Sequence, residues 1–446
     1  MSRRRDVLMM LLPLLAIPMP QSANAQTAPP SPAPILDAAT RREIVNTFAR
    51  EMRERYIYSE RGDQVAAQVT AALGAGKYDG TKTATDLARK LFIDAVAITH
   101  DAHLEIFGPE GPHAPPAPQT KPPESAEAGL TRADKLAGGV GYIEVVGFPQ
   151  LDSFKRVINA AMSGLSGSRA LIIDVRRNHG GDPESVAYLL SFLVAPDLPI
   201  SDIVFRTAKT NETTRLSFRS VRTPVSFLRV PVYVLTSRDT FSGGEEFAYD
   251  IQALKRGTLI GETTGGGANP AGLSDLGHGL TAVIPIGRAE NQITKTNWDG
   301  VGVRPDVAVT FDSALSTALL KTGSKPVADI ATASTQRVFS PRTAPLPQSE
   351  AALRKLLGAV ANGAPIQAIV APQYASRIEE MLPKLRAELA ELGELRSVIF
   401  YRAARFTGGD VFKLSFANGL RNMQLTVGHE VKIEEASPLL PLDPSQ

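Results

Sequence analysis

Cysteine is absent from the 446-residue chain. That excludes disulfides, thiolate-bound zinc, iron–sulfur clusters, a thiol nucleophile and a lipidated N-terminal Cys. Net charge is almost absent as well: 48 Lys and Arg stand against 46 Asp and Glu, and beyond residue 25 the two signs balance at 45 each. A neutral chain without a long basic run argues against a nucleic-acid binder and against a polybasic membrane anchor. No segment past the N-terminus is apolar enough to span a bilayer, for which about 20 residues are needed. What remains is an ordinary globular composition, 43% apolar and 21% charged. The length suits two or three domains at ~150 residues each.

Residues 1–25 read as a signal peptide. Arg3-Arg4-Arg5 supply a basic start, Val7 to Pro18 an apolar stretch, and Ala23-Asn24-Ala25 a small-x-small cleavage site before Gln26. Arg4-Arg5-Asp6-Val7-Leu8 also resembles a twin-arginine export signal. The expected location is therefore a bacterial periplasm, without a stable membrane anchor.

Proline breaks and apolar periodicity divide the rest. Residues 26–35 form an extended leader. Residues 36–104 read as a helical bundle: Ile44, Phe48 and Met52 share one face, Val65, Val69 and Leu73 another, and Thr83 with Asp86 opens a third helix through Leu87 and Leu91. Seven prolines between Pro109 and Pro123 mark 105–138 as a linker. From 139 to 322 short apolar runs alternate with amphipathic helices, the mark of an α/β domain. Strands are expected at Val140–Val145, Leu171–Val175, Val230–Leu235 and Thr258–Ile260, and helices near 151–164, 183–194 and 243–254. Asp182 caps the second of these helices and Pro183 suits its first position. A second linker (323–346) leads to an α+β accessory unit (347–435) and a tail (436–446). In that unit, helices carry Leu353 to Val360 and Ile378 to Leu392, with a kink expected at Pro383. A hairpin carries Phe412, Leu414 and Phe416, a turn at Asn418-Gly419, and Met423, Leu425 and Val427.

Four segments of the chain combine reactive groups with positions at strand or helix ends. In Thr240-Phe241-Ser242-Gly243-Gly244-Glu245-Glu246, a serine opens a helix beside unpaired backbone N–H groups that can stabilise an oxyanion. Ser242 and Glu245 also form a capping-box pattern, so a purely structural role stays open. In Asp174-Val175-Arg176-Arg177-Asn178-His179-Gly180-Gly181, a buried strand runs into a Gly-Gly turn with N–H groups available to an anion, or into a plain tight turn. Thr99-His100-Asp101-Ala102-His103 offers histidines as a base with pKa near working pH. Asn297-Trp298-Asp299-Gly300 sets the only Trp beside an acid and a turn glycine.

In their order and spacing these blocks, with Gly261-Glu262-Thr263-Thr264-Gly265-Gly266-Gly267-Ala268 and Trp298 to Asp306, resemble the C-terminal processing (tail-specific) serine peptidases. The closer resemblance is to the branch of the interphotoreceptor retinoid-binding protein and the tricorn-like proteases. It runs from about Leu36 to Asp312. It implies a crotonase- or ClpP-like α/β core under an N-terminal helical bundle, acting without metal or cofactor on a peptide or protein substrate. It implies Ser242 as nucleophile, Gly243 with Gly180 or Gly181 as oxyanion hole, His103 as base and Asp299 as distal acid. Asp101 or Thr99 would tune the base, and His179 is a rival for it. Three features depart from the family pattern. Gly267 stands where the Ser-Lys members carry lysine, Asp299 where the tricorn-like members carry glutamate, and the stretch from Leu104 to Leu136 is too short and proline-rich for a PDZ domain. These departures leave a competing reading, a non-catalytic protein binding an apolar ligand in the same cleft. The C-terminal unit resembles small α+β modules appended to secreted serine hydrolases, which implies an accessory role or one in forming a homo-oligomer.

Overall fold

A computed structural model describes residues 36–108, 129–327, 330–339, 342–403, 409–428, 431–437 and 439–441. The proposed signal peptide, the leader, the proline run and the last five residues of the tail lie outside the described residues.

Three helices, α1 (Ala38–Arg55), α2 (Ser59–Gly74) and α3 (Ala84–Thr99), form the N-terminal lobe. Ile44, Phe48, Met52, Val65, Val69, Leu87 and Leu91 are buried together, as their helical spacing dictates. Thr83 caps α3, accepting from the Asp86 N–H at 3.1 Å. His100 ends that helix in the left-handed conformation (φ 53°). The chain then turns through 101–104 into strand β1 (Glu105–Phe107).

The central layer is a seven-stranded sheet. Its strands in chain order are β2 (Leu130–Leu136), β3 (Val140–Val145), β4 (Ala170–Asp174), β7 (Val232–Thr236), β8 (Thr258–Gly261), β12 (Val307–Ala308) and β13 (Ser334–Phe339). In space they run β12-β8-β7-β4-β3-β2-β13, parallel from β12 to β3 and antiparallel at β2 and β13. The parallel strands are apolar on both faces because both faces are covered. Ile143, Leu171, Ile173, Val234 and Leu259 meet helices α4 (Leu151–Gly164), α5 (Pro183–Ser191) and α6 (Gly243–Ala253). The alternate residues Tyr142, Ile172, Leu235 and Ile260 meet α7 (Phe311–Lys321) on the far side.

Two smaller sheets flank this layer. Strand β11 (Gly287–Asn291) pairs with β5 (Pro199–Arg206) and β5 with β6 (Thr213–Arg219), and this sheet shares the core of α5 and α6. Strands β9 (Ala271–Gly277) and β10 (Leu280–Pro285) form a hairpin against the helical lobe, and β1 pairs with β10. The chain leaving α3 is thus stitched to the β9–β10 hairpin directly after His103.

The stretch 105–138 is not a linker throughout. Residues 105–107 and 130–136 are strands, and β2 belongs to the central sheet. The second expected linker, 323–346, holds a short helix α8 (Ile330–Ala333) and edge strand β13, which pairs with β2. Strand β13 is the outer strand of the sheet and is exposed or half-buried along its length, which is why its sequence carries little apolar pattern.

The C-terminal unit packs α9 (Ser349–Asn362) and α10 (Ala375–Leu392) on a sheet of β14 (Leu395–Ala403), β15 (Asp410–Phe416), β16 (Gly419–Val427) and β17 (Ile433–Ala436), with β18 (Leu440–Pro441) also on β16. Helix α10 is continuous across Pro383. The hairpin turns at Ala417-Asn418, one residue earlier than the sequence suggests, because Phe416 pairs directly with Gly419. The strands extend the unit to residue 441, beyond the expected boundary at 435.

Candidate active site

Strands β4 and β7 are parallel neighbours, so the loops after them emerge side by side at one edge of the sheet. The loop after β7 delivers Ser242 to the start of α6 with φ 53° and ψ −119°. This is a sparsely populated conformation for a residue with a Cβ, costing on the order of 1–3 kcal/mol, and it persists only where the surroundings enforce it. They do so here. The Ser242 N–H donates to the Glu245 Oε2 at 2.9 Å, and the Ser242 carbonyl accepts from the Glu245 and Glu246 N–H groups, each at 2.9 Å. A capping box closes at this helix start, and it is what holds the serine in its strained presentation. The capping and nucleophile readings of the sequence describe one arrangement.

The loop after β4 fits against Ser242. A Cβ on Gly180 (φ +96°) would stand 2.6 Å from the Ser242 Cβ, and one on Gly181 (φ +135°) would collide with the Phe148 carbonyl. Both positions therefore require glycine. The Gly180 N–H is already taken by the Asn178 Oδ1 at 2.8 Å. No protein acceptor is found for the Gly181 or Gly243 N–H among the described residues. A Cβ on Gly243 would lie 3.2 Å from the Gly181 nitrogen. Of the two glycines offered by the sequence, Gly181 is the one with a free donor beside Gly243. Asn178 is fully buried and braces this turn on three sides. Its Nδ2 donates to the Val145 carbonyl (3.1 Å), and its own carbonyl accepts from the Phe241 N–H (2.9 Å). Sequence reading quoted Asn178 within its motif and gave it no role.

His103 arrives from the other lobe. Its imidazole is buried against the Phe241 ring, centroids 4.7 Å apart, next to Ser242 in the chain. Neither ring nitrogen has a hydrogen-bond partner, so no bond to Ser242 or Asp299 is formed in this structure. Burial alone pushes the imidazole pKa down from 6.5 to about 4, so the ring is neutral at ordinary pH. A Cβ on Gly267 would sit 2.7 Å from the His103 Cε1 and nearer still to the Phe241 ring. The imidazole and Phe241 thus fill the space that a side chain at 267 would need.

Behind the imidazole lies a polar cluster that joins the lobes. The Asp101 Oδ1 accepts from the His103 backbone N–H (3.0 Å), and its Oδ2 accepts from the Tyr56 hydroxyl (3.0 Å) and the Asn269 Nδ2 (2.9 Å). Burial raises the Asp101 pKa to about 6, with repulsion from Asp299 adding to it. Asp299 reaches the Ala268 N–H (3.4 Å) and the Asn269 side chain, and burial raises its pKa too. The expected serine–histidine–aspartate chain is therefore not continuous: Asp299 meets the backbone and amide beside Gly267, and Asp101 holds the base through its main chain. Thr99 is buried and its carbonyl accepts from Arg61 Nη1 at 3.2 Å. His179 lies exposed on the loop after β4.

Glu245 links these parts. Beyond Ser242, its carboxylate accepts from the Thr264 hydroxyl (2.5 Å), the Gly266 N–H (2.6 Å) and the Gly267 N–H (2.8 Å). The Glu245 Oε2 thus holds the backbones of Ser242 and Gly267 at once. Burial raises its pKa, opposed by those four donors. Among the described residues no group of three His, Cys, Asp or Glu is arranged to hold a metal ion, and no helix is long and apolar enough to cross a membrane.

Comparison with known proteins gives this geometry a family. Residues 139–309 match the profile of "Peptidase family S41", and residues 37–136 match "N-terminal domain of Peptidase_S41 in eukaryotic IRBP". Among solved structures, a photosystem II D1 C-terminal processing protease is similar at 22% identity and a TM-score of 0.33, over 40% of this chain and 47% of that one. The chain thus spans about half of that protease. A putative peptidase from Parabacteroides merdae is similar at 18% identity and a TM-score of 0.47, over 66% and 95% of the two chains. The tricorn protease is similar at 14% and 0.41, over 66% and 36%. The consecutive matches assign residues 37–309 to peptidase family S41, the tail-specific serine peptidases.

Proposed function

We propose that this protein hydrolyses peptide bonds through an acyl-enzyme on Ser242, with His103 as general base. The observation that carries the reading is the buried, unpaired imidazole of His103, which occupies the space of a missing side chain at 267 beside the strained serine. An unpaired buried ring costs roughly 1–3 kcal/mol and calls for a purpose. A neutral imidazole is the form a base needs.

As the acyl carbonyl enters, the serine hydroxyl and the imidazole close to hydrogen-bond distance, a gap that commonly tightens on substrate binding. The Ser242 Oγ bonds to the carbonyl carbon, its proton passes to a ring nitrogen of His103, and the carbonyl oxygen becomes an oxyanion. The N–H groups of Gly243 and Gly181, which have no protein acceptor among the described residues, would donate to that oxygen. The intermediate collapses, the C–N bond breaks, and the imidazolium protonates the leaving amine. Water repeats the sequence on the ester and releases the acid. Asp299 supports the imidazolium through Asn269 and the 266–268 backbone. A peptide or protein is the substrate, and the N-terminal 25 residues direct the chain to the periplasm.

Peptide turnover by the full chain tests this. Ser242→Ala and His103→Ala, both folded, are expected to lose at least about a thousandfold in kcat/KM. Turnover that survives Ser242→Ala moves the nucleophile elsewhere.

A further inference from the structure

An imidazole with no hydrogen bond on either nitrogen is held by packing alone. Its walls are the Phe241 ring and the backbone at Gly267, so whatever fixes the Gly267 peptide fixes the base. That peptide is gripped at both ends. Its N–H donates to the Glu245 Oε2 at 2.8 Å, and its carbonyl accepts from the indole Nε1–H of Trp298 at 2.8 Å. Trp298 is buried, 2% exposed, and packs on the Tyr249 ring with centroids 5.3 Å apart. Its own carbonyl accepts from the Val301 N–H (3.2 Å) and the Gly302 N–H (2.9 Å), while the Gly300 N–H donates to the Gly266 carbonyl (2.9 Å). The indole is therefore a rigid strut between the 298–302 turn and the wall behind His103.

We propose that Trp298 is a positioning residue for the base: its indole N–H fixes the Gly267 peptide against which the His103 imidazole rests. The inference depends on the functional reading of Ser242 and His103. Removing the N–H while keeping an aromatic ring frees the Gly267 carbonyl, which then seeks water, and the wall loosens. Water reaching the imidazole weakens the burial that lowers its pKa. The ionisable groups around this wall are Glu245, on the Gly267 N–H, Asp101 on the loop that carries His103, Asp299 from the core, and Tyr56 and Arg61 from the helical lobe. None of them hydrogen-bonds the ring, so solvent access governs its titration.

The test is the rate of fluorophosphonate labelling of the full chain across pH, with the modified residue mapped by mass spectrometry. Trp298→Phe is expected to label Ser242 about fivefold to tenfold more slowly at pH 7. Its acid limb should move upward from about pH 4 toward 6.5, with circular dichroism confirming the fold at each pH so that acid unfolding does not supply the shift. Gly267→Ala keeps the indole and displaces the imidazole from the other side, so it should slow labelling likewise and serves if Trp298→Phe does not fold. Wild type labelled at Ser242, with folded Trp298→Phe or Gly267→Ala matching its rate and acid limb, overturns this inference alone. Folded wild type that is not labelled at Ser242 overturns the functional reading, and this inference with it.

Discussion

The most discriminating perturbation is acid. A base must be neutral to take the serine proton, and burial sets the His103 pKa at about 4 instead of 6.5. At pH 5 a ring titrating at 4 is ~90% neutral, whereas one titrating at 6.5 is only ~3% neutral, a ratio of about thirty in competent enzyme. The assay is the second-order rate of fluorophosphonate labelling between pH 4 and 8, with circular dichroism to confirm folding at each point. The expected profile stays nearly flat from pH 7 to 5 and falls toward pH 4. Two carboxyls can imitate a histidine limb: Asp101, with a pKa of about 6, and Asp182, buried beside Gly181 with a pKa of about 7. They are separated by Asp101→Asn and Asp182→Asn, each of which removes its own inflection and leaves one belonging to His103. The same burial acts on stability. A folded-state pKa below the unfolded value means the unfolded chain binds more protons, so this group destabilises the fold increasingly as pH drops from about 6.5 to 4. A wild-type midpoint between 6 and 7 that persists in both Asp101→Asn and Asp182→Asn would refute the reasoning, since it places the working imidazole in water.

Other perturbations read other parts of the site. Gly180→Ala drives a methyl toward the Ser242 Cβ from a left-handed position, and should lower kcat at least about a hundredfold and lower the unfolding midpoint as well. Asn178→Ala frees the Gly180 N–H and loosens the oxyanion turn, and steady-state kinetics should show kcat reduced about tenfold to a hundredfold while KM stays nearly constant. Away from the site, Arg342 donates to the buried Asp410 at 2.5 Å, so Arg342→Ala strands that carboxylate. Urea unfolding should show the C-terminal unit destabilised by about 3–5 kcal/mol, with Ser242 labelling unchanged.

The sequence carried the local features and lost the distant ones. Helical periodicity marked the N-terminal lobe because its buried faces repeat every three to four residues. The capped start of α5 and the apolar strands β3, β4 and β7 were legible for similar reasons. Ser242, His103, Gly180 and Gly181 stand out as candidates because the motifs that carry them are contiguous. Strands β2 and β13 fall in stretches that read as linker, since their pairing joins residues about 200 apart and β13, at the sheet edge, carries few apolar residues. The Asp101–Asn269 bond spans 168 positions, and nothing local foretells it. Glu245 showed only its capping role, because its bonds to Gly266 and Gly267 come from a loop brought in by folding. The choice between Gly180 and Gly181 depended on one amide, Asn178, that withdraws the first donor.

One measurement bears most directly on the whole account: mass-spectrometric mapping of the fluorophosphonate adduct on the folded full chain. The account predicts a single stoichiometric adduct on the peptide containing Ser242, lost in Ser242→Ala and strongly slowed in His103→Ala. An adduct on another residue, or an unmodified Ser242 in folded protein at pH 7, contradicts it.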